Sequence, residues 1–365
     1  MNEGVVGEPL APIFEDDAVR VVRASEPCAY SFEPIASDPW AEAIVVHGIC
    51  EHAFRWFPFA RQLVRHGISV RLAHLPGHGP PTSHPSEWDA LGIDTLRFSA
   101  QELVDRWRMV PPLERQRAAR VRRGQTRTLR GLRLDQALEQ VAQLARCGPT
   151  HEQSDRAGRR PLFIIGHSLG GLIAAEVAAR LAEHDRTALA GVILLNPALQ
   201  PTAHGVVGRW IVRQSWQART TRSGPGLLGR IAAGAARCGV GVSTRWATPF
   251  VSDLAVEQRL QAADPLILRK VPLSFLLQVE ALMARTAARV APYPLPVFLQ
   301  VSGADRVVDP AGALRFASTL QQSPHAGRCG VVSWPGFEPH DAVRSSRGGP
   351  LVERLVAWCD GQQSR

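Results

Sequence analysis

The segment LFIIGHSLGG at residues 162–171 constrains the fold of this chain more than any other. An apolar, β-branched run leads into it, and an alanine-rich run of helix formers follows Ser168 directly, which predicts a strand, a sharp turn and a helix. Gly166, His167 and Gly170 form the turn, and the glycines allow close backbone approach because they carry no Cβ atom. Such a turn presents the Ser168 hydroxyl as a candidate nucleophile, with backbone N–H groups beside it.

Short β-rich runs alternate with helical patterns over most of the chain. This alternation predicts an α/β fold with a mostly parallel, doubly wound sheet that helices cover on both faces. The β-rich runs are AVRVVRA, AEAIVVHG, GISVRLAH, PLFIIGHS, AGVILLNP, PVFLQVSG and CGVVSWPG. The helical patterns are FPFARQLVRHG, LDQALEQVAQLARCG, LGGLIAAEVAARLAEH and GALRFASTLQQS.

Two stretches interrupt the alternation. Residues 80–133 are rich in Pro and Arg, and residues 200–291 are mostly helical in pattern. Both follow the C-terminal ends of strands, the edge at which ligands bind in open α/β sheets. We therefore predict a core of residues 1–199 and 292–365 with an Arg-rich insertion at about 80–133, and an inserted helical cap of residues 200–291 that covers a site.

The basic charge of the chain is concentrated in one segment. The formal net charge is +9, and residues 106–133 hold ten arginines against Glu114 alone. A solvated insertion is the favoured interpretation, and peripheral contact with an anionic membrane or an acidic partner is the alternative. We expect no nucleic-acid partner, because neither interleaved aromatic residues nor a nucleic-acid motif accompanies the arginines.

The cysteines and the N-terminal segment indicate the compartment. The six cysteines are scattered, without a C-x-x-C pair or a cluster with histidine, so we expect no metal site and no disulfide framework. Free thiols fit a reducing compartment. The N-terminal segment lacks the basic start and apolar region of a signal peptide, and no apolar stretch approaches the length of a membrane span. We therefore expect a cytoplasmic protein.

Two further candidates follow Ser168 in the order Ser, acid, His. Asp305 lies in LQVSGADRVVDP, directly after an apolar strand, where its carboxylate can orient a histidine. His340 lies in SWPGFEPHDAVR, again after a strand, and is the candidate general base. Asp309 is the alternative acid, but its place before a proline and a helical run favours a helix N-cap. His325 is the weaker alternative base.

The segment IVVHGICEH supplies the candidate oxyanion loop. His47 and Gly48 lie at the end of a strand, where the backbone of the next residue can face the nucleophile. The N–H groups of Ile49 and Leu169 are the candidate oxyanion hole. His47 and Gly48 are also candidate substrate contacts, although bracing of the loop is the favoured role of His47.

The predicted cap contains a set of apolar side chains. Trp210, Ile211, Trp216, Leu227 and Leu228 offer more apolar surface than a solvent-facing loop requires. Trp210 and Trp216 are therefore candidate substrate contacts. Ordinary packing of the cap onto the core explains the same residues equally well.

These motifs together resemble the monoacylglycerol lipase and lysophospholipase branch of the α/β-hydrolases, also described as the serine aminopeptidase group. The resemblance is carried by HGICEHAFRW, LPGHG, GHSLGG, ADPL, GADRVV and the late His340. It implies an α/β-hydrolase fold and ester hydrolysis through an acyl-enzyme, with Ser168 as nucleophile, His340 as general base and then acid, and Asp305 orienting His340. It implies no cofactor and no metal.

The resemblance leaves the substrate open. A monoacylglycerol or lysophospholipid-like acyl ester is the first expectation, and a small ester, a thioester, a peptide or a non-catalytic binding role are the alternatives. The resemblance also implies structural roles for Glu51, His52 and Arg55 after the oxyanion loop, and for residues 77–79. The chain departs from the family at His74, where an acidic residue usually stands.

Overall fold

A computed structural model describes residues 11–23, 29–80, 88–109, 116, 119–121, 123, 132–146, 160–184, 189–200, 240–289 and 293–362. Its strands are β1 (Pro12–Glu15), β2 (Val19–Arg23), β3 (Ala29–Pro34), β4 (Ala41–Val46), β5 (Ile68–Ala73), β6 (Leu162–His167), β7 (Leu189–Leu195), β8 (Gly241–Ser243), β9 (Lys270–Pro272), β10 (Val297–Ser302) and β11 (Gly330–Trp334).

The described strands form one large sheet and one small hairpin. The large sheet has nine strands in the order β1-β2-β3-β5-β4-β6-β7-β10-β11, and β8 pairs with β9 separately. From β5 to β11 the neighbours are parallel, whereas β1, β2 and β3 add an antiparallel edge. The strand order reverses between β4 and β6, so the crevice at their C-terminal ends is the expected ligand site.

Helices cover both faces of this sheet. The helices of the described chain, some of which pack on other helices, are α1 (Phe57–Arg65), α2 (Asp89–Arg97), α3 (Ala100–Arg108), α4 (Leu134–Arg146), α5 (Leu169–His184), α6 (Thr248–Val251), α7 (Ala255–Ala263), α8 (Leu273–Arg289), α9 (Pro310–Leu320) and α10 (Gly348–Asp360). Short 3₁₀ turns lie at Ala53–Trp56, Arg245–Ala247 and Ala326–Arg328. In the described part of the chain, no helix is long and apolar enough to cross a membrane.

Alternate residues of the central strands feed two separate cores. In β4, Ile44 and Val46 join the core beneath α4, α5, α8 and α9, whereas Ala43 and Val45 join the core beneath α1 and α10. Successive side chains of a strand point to opposite faces, so burial on both faces requires an apolar residue at nearly every position. This is why the central strands are uninterrupted apolar runs in the sequence.

The predicted fold class is confirmed. Every β-rich run named above forms a strand of the large sheet, and the four helical patterns form α1, α4, α5 and α9. The sequence analysis did not identify β1, β3, the β8–β9 hairpin, α10, or the helices α2 and α3 within the stretch 80–133. The predicted boundaries of core and cap stay predictions. Residues 201–239 of the predicted cap, with Trp210 and Trp216, and most of the Arg-rich segment 106–133 lie outside the described residues.

Candidate active site

Ser168 occupies a strained turn between β6 and α5. Strand β6 ends at His167 and α5 begins at the residue after the serine, and the serine has φ +55°, in the left-handed region. A Cβ atom on Gly170 would lie 2.1 Å from the carbonyl oxygen of Val46, and one on Gly166 would lie 2.2 Å from the carbonyl oxygen of Gly170. Only glycine fits at either position, and the close approach holds the serine at the end of the sheet.

Asp305 and His340 form a buried pair on the loops after β10 and β11. Asp305 Oδ2 accepts a hydrogen bond from His340 Nδ1 at 2.7 Å, while Oδ1 accepts from the N–H groups of Val307 at 2.7 Å and Val308 at 3.2 Å. A carboxylate accepts only, so Nδ1 carries the proton of a neutral His340 and Nε2 is the basic nitrogen. This is the tautomer that a general base for a serine requires.

The two alternative residues lie in other surroundings. Asp309 is the N-cap of α9, where its Oδ1 accepts from the N–H of Ala311 at 2.9 Å and Pro310 is the first helical residue. His325 precedes the 3₁₀ turn Ala326–Arg328. The structure therefore brings Asp305, and not Asp309, to His340.

The loop after β4 passes against the nucleophile. A Cβ atom on Gly48 would lie 3.2 Å from the Cβ atom of Ser168. Within the described part of the chain, no hydrogen bond has the N–H of Ile49 or of Leu169 as its donor. Two unpaired N–H groups beside a serine are the arrangement that stabilises a developing oxyanion.

Backbone strain is concentrated at this edge of the sheet. Three non-glycine residues of the described chain have positive φ, namely Cys50 at 68°, Ser168 at 55° and Asn196 at 41°. They follow β4, β6 and β7. Such conformations cost of order 1–3 kcal/mol each and persist where the surrounding structure enforces them, most often at functional sites.

His47 braces the oxyanion loop against the loop after β5. Its Nδ1 donates to the carbonyl oxygen of Gly48 at 2.8 Å, and its Nε2 accepts from the N–H of Leu75 at 3.0 Å. Burial, with a smaller contribution from nearby His78, lowers the pKa of His47 to about 3. A neutral ring that donates at one nitrogen and accepts at the other can hold both loops at once.

Glu51 connects the oxyanion loop to the loop that carries His340. Its carboxylate accepts from the N–H of Gly48 at 3.2 Å and from Trp56 Nε1 at 3.0 Å, and it pairs with the guanidinium of Arg344. Burial opposes ionisation, but Arg344 and then His167 outweigh it and hold the pKa of the Glu51 carboxyl well below its usual range.

Sequence reasoning missed three residues that hold His340 in place. Asn196 Nδ2 donates to the carbonyl oxygen of His340 at 2.6 Å, and its Oδ1 accepts from the N–H of Ser302 at 2.6 Å. Asp341 and Arg344 follow His340 closely and pair with each other. Their positions in the sequence were the available indication. Asn196 directly follows β7, and Asp341 and Arg344 lie on the same loop as His340.

One group of described side chains has metal-ligand spacing. The ligand atoms of Glu51, His167 and Asp341 all lie within 4.8 Å of one another. Both carboxylates contact the same guanidinium nitrogen, Nη2 of Arg344. The guanidinium thus supplies one of the two positive charges that these carboxylates require, and we infer no metal from this group.

The family follows from the sequence match. The profile of the family described as serine aminopeptidase, S33, matches residues 123–328, which is more than half of the 365-residue chain. The protein belongs to this family. The matched residues of this chain include Ser168 and Asp305 and end before His340. No curated protein sequence matches it significantly.

Solved structures share the fold of this S33 family member at low sequence identity. A monoacylglycerol lipase of Paleococcus ferrophilus is 17% identical, with a TM-score of 0.59 over 92% of this chain and 98% of that chain. A soluble variant of monoglyceride lipase from Saccharomyces cerevisiae, in complex with a substrate analog, is 15% identical, with a TM-score of 0.61 over 97% of each chain. A carboxyl esterase from Bacillus coagulans is 16% identical, with a TM-score of 0.51 over 96% of each chain. Together with the family match, these likenesses establish the α/β-hydrolase fold.

Proposed function

We propose that the protein is a serine hydrolase that cleaves the carboxylic ester bond of a single-chain acyl lipid, such as a monoacylglycerol or a lysophospholipid, through an acyl-enzyme. The observation that carries this proposal is the 2.7 Å pair of Asp305 and His340, on loops at the same sheet edge as the strained Ser168. The N–H groups of Ile49 and Leu169, which have no acceptor in the described part of the chain, support the proposal as candidate oxyanion donors.

Each group has a defined role in the proposed reaction. Ser168 Oγ attacks the ester carbonyl carbon while His340 Nε2 takes the hydroxyl proton, and Asp305 stabilises the resulting imidazolium. The N–H groups of Ile49 and Leu169 bind the oxyanion, and such a donor is worth roughly 2.7–4 kcal/mol in the transition state. Collapse expels the alcohol, which receives the proton from His340. Water then attacks the acyl-enzyme by the same route and releases the acid.

The preference for a lipid ester has its own support. Two proteins of similar fold are named a monoacylglycerol lipase and a monoglyceride lipase, and the sequence motifs resemble that branch. The predicted cap segment is rich in apolar side chains, among them Trp210 and Trp216. A small ester, a thioester and a peptide are alternative substrates for the same groups.

A matched substrate panel tests the proposal. The panel contains short and long p-nitrophenyl esters, monoacylglycerol, lysophosphatidylcholine, an acyl thioester and an aminoacyl amide. Ser168→Ala should lower kcat by about 10⁴–10⁶-fold, because nothing replaces the nucleophile. Ser318→Ala is the control, since this exposed hydroxyl on α9 bonds only to the backbone of its own helix, and it should leave turnover unchanged.

The dependence on chain length decides the substrate class. A lipid site should gain about 0.8 kcal/mol for each buried methylene, so kcat/KM should rise steeply with acyl length. Turnover confined to short esters, to the thioester or to the amide would replace the lipid proposal with that substrate. Ester hydrolysis that survives in Ser168→Ala would contradict the mechanism, and no turnover of any substrate would favour a binding protein.

A further inference from the structure

His167, the residue before the nucleophile, is a buried titratable group that the mechanism above does not use. Its side chain is only 3% exposed. The ring centroid lies 4.7 Å from that of His340 and 5.4 Å from that of Trp56. Strand β6 ends at this residue, so the ring is fixed at the junction between the sheet and the elbow.

Both ring nitrogens of His167 face oxygen atoms. Nε2 lies 3.2 Å from the carbonyl oxygen of His340, and Nδ1 lies 3.5 Å from Glu51 Oε2. A neutral imidazole has one N–H and one lone pair, so one of these nitrogens would turn its lone pair toward an oxygen. Only the imidazolium presents a proton to both.

The charges around the ring favour the same form. Among the described residues, the groups that face the ring are the imidazole of His340, the buried carboxylates of Glu51 and Asp341 and the guanidinium of Arg344. Arg55 is paired with Glu257. Two negative charges and one positive charge leave one negative charge, which an imidazolium neutralises.

The direction of the pKa shift of His167 agrees with this count of charges. Burial lowers the pKa of His167, but Asp341 and Glu51 outweigh burial and the opposing guanidinium of Arg344, and raise it above its usual value.

The contacts of this ring span the two loops that the reaction uses. The carbonyl oxygen of His340 accepts from both His167 and Asn196, which holds the general-base loop. Glu51, the other partner of the ring, accepts from the N–H of Gly48 in the oxyanion loop. The His167 ring therefore lies between the two loops and next to Ser168.

We propose that His167 is a positioning residue whose imidazolium joins the carbonyl of His340 to the carboxylate of Glu51, and so fixes the general-base loop and the oxyanion loop relative to Ser168. The inference rests on the proposed function, because that function gives the two loops their catalytic roles. A loop displacement of about 1 Å at an active site can lower the rate of the chemical step by about 10²-fold.

The first test reads the charge of the ring directly. The full chain is labelled with ¹⁵N-histidine, and ring nitrogen signals are recorded at about pH 7, where an ordinary histidine is mostly neutral. We expect a histidine with both nitrogens protonated whose signals are absent from His167→Gln. A neutral His167 would overturn the inference, whether or not the protein hydrolyses esters.

The second test reads the positioning. Gln keeps an N–H donor but cannot carry the charge. The matched control is His325→Gln, at the residue that precedes the 3₁₀ turn Ala326–Arg328. We expect His167→Gln to lower kcat and the rate of fluorophosphonate labelling of Ser168 by about 10–10²-fold, with KM changed by less than about twofold and cooperative unfolding retained. Rates equal to wild type would overturn the positioning role. If Ser168 of the wild-type protein does not react with the fluorophosphonate, the proposed function is refuted. The ring charge measured in the first test would still decide whether His167 is an imidazolium beside Glu51 and Asp341.

Discussion

Buried histidines on the two sides of the nucleophile differ in the direction in which their pKa values shift. On the oxyanion side lie His47, His74 and His78, which we call the neutral cluster. Burial, with the neighbouring histidines adding to it, lowers the pKa of His47 to about 3 and that of His74 well below its usual value. On the base side lies His167, whose pKa is raised because Asp341 and Glu51 outweigh burial.

The difference teaches that burial alone does not set the charge of these rings. All four are fully enclosed at the same edge of the sheet, so desolvation acts on each in the same direction. The neighbours decide the outcome: the histidines of the neutral cluster lower one another's pKa values, whereas the effect of Asp341 and Glu51 dominates at His167. A neutral ring can donate and accept, as His47 does, whereas a charged ring can donate twice.

The largest expected effect concerns the base side. Asp305→Asn should lower kcat by about 10⁴-fold, because the amide favours the wrong tautomer of His340 and cannot stabilise its imidazolium. The measurement is turnover of the best ester in the panel. Asp309→Asn is the matched control: Asn caps a helix as well as Asp does, so its activity should stay near wild type. Equal losses in the two variants would mean that Asp305 has no special part in the reaction.

The next largest effect is a loss of stability on substitution of Glu51, which links the two sides of the candidate site. Glu51→Gln leaves the guanidinium of Arg344 and the ring of His167 facing a neutral amide, and breaking a buried ion pair in this way costs about 3–5 kcal/mol. Urea unfolding measures the loss. Glu139→Gln, whose carboxylate is 59% exposed and pairs with Arg146, should change stability by less than about 1 kcal/mol. If Glu51→Gln costs no more than this control, the cluster does not hold the two sides together.

The smallest effect concerns the neutral cluster and appears on acidification. The folded-state pKa of His47 is about 3 and that of His78 about 4, both below the value of 6.5 for an unfolded histidine. The unfolded chain therefore takes up protons first, and the free energy of unfolding falls as the pH drops from about 6.5 to about 4. At about pH 5, each of these rings should lower stability by about 2 kcal/mol.

A variant of His78 isolates the contribution of one buried histidine to this loss of stability. Urea unfolding is measured at pH 7 and at pH 5 for wild type, for His78→Gln and for His66→Gln. His66 is exposed and serves as the control. The pH-dependent loss should shrink by about 2 kcal/mol in His78→Gln only. An undiminished loss in that variant would mean that the His78 ring is not held neutral. His167 acts in the opposite sense, since its raised pKa contributes stability below about pH 6.5 that is lost as the pH rises through its folded-state value.

Local sequence patterns were sufficient to predict much of the fold and the strand–turn–helix at Ser168. The strand runs around Ser168 are apolar because both sheet faces are covered, and this leaves a signal in the sequence itself. The glycines at 166 and 170 and the N-cap at Asp309 are also local features. Strand β1 escaped prediction because its four residues are too few to establish a pattern, and β3 because its residues, AYSFEP, do not alternate clearly between apolar and polar.

Long-range contacts account for what the sequence did not predict at the candidate site. Glu51 and Arg344 are 293 positions apart, and His52 pairs with Asp264 at 2.8 Å from a similarly distant segment. No periodicity or spacing indicates such pairs. The charge of His167 depends on them, so it could not be predicted from the motif in which the residue stands.

The sequence by itself determined the α/β winding, the strand–turn–helix at Ser168 and the order of the candidate acid and base, because each depends on neighbouring residues along the chain. Only the tertiary structure decided that Asp305 meets His340 and that two carboxylates lie near His167. It also decided that, in the described part of the chain, the N–H groups of Ile49 and Leu169 have no acceptor. These properties arise where loops from several strands converge at one sheet edge, and there the energy of a buried group is set by the charges and dipoles that the fold places around it.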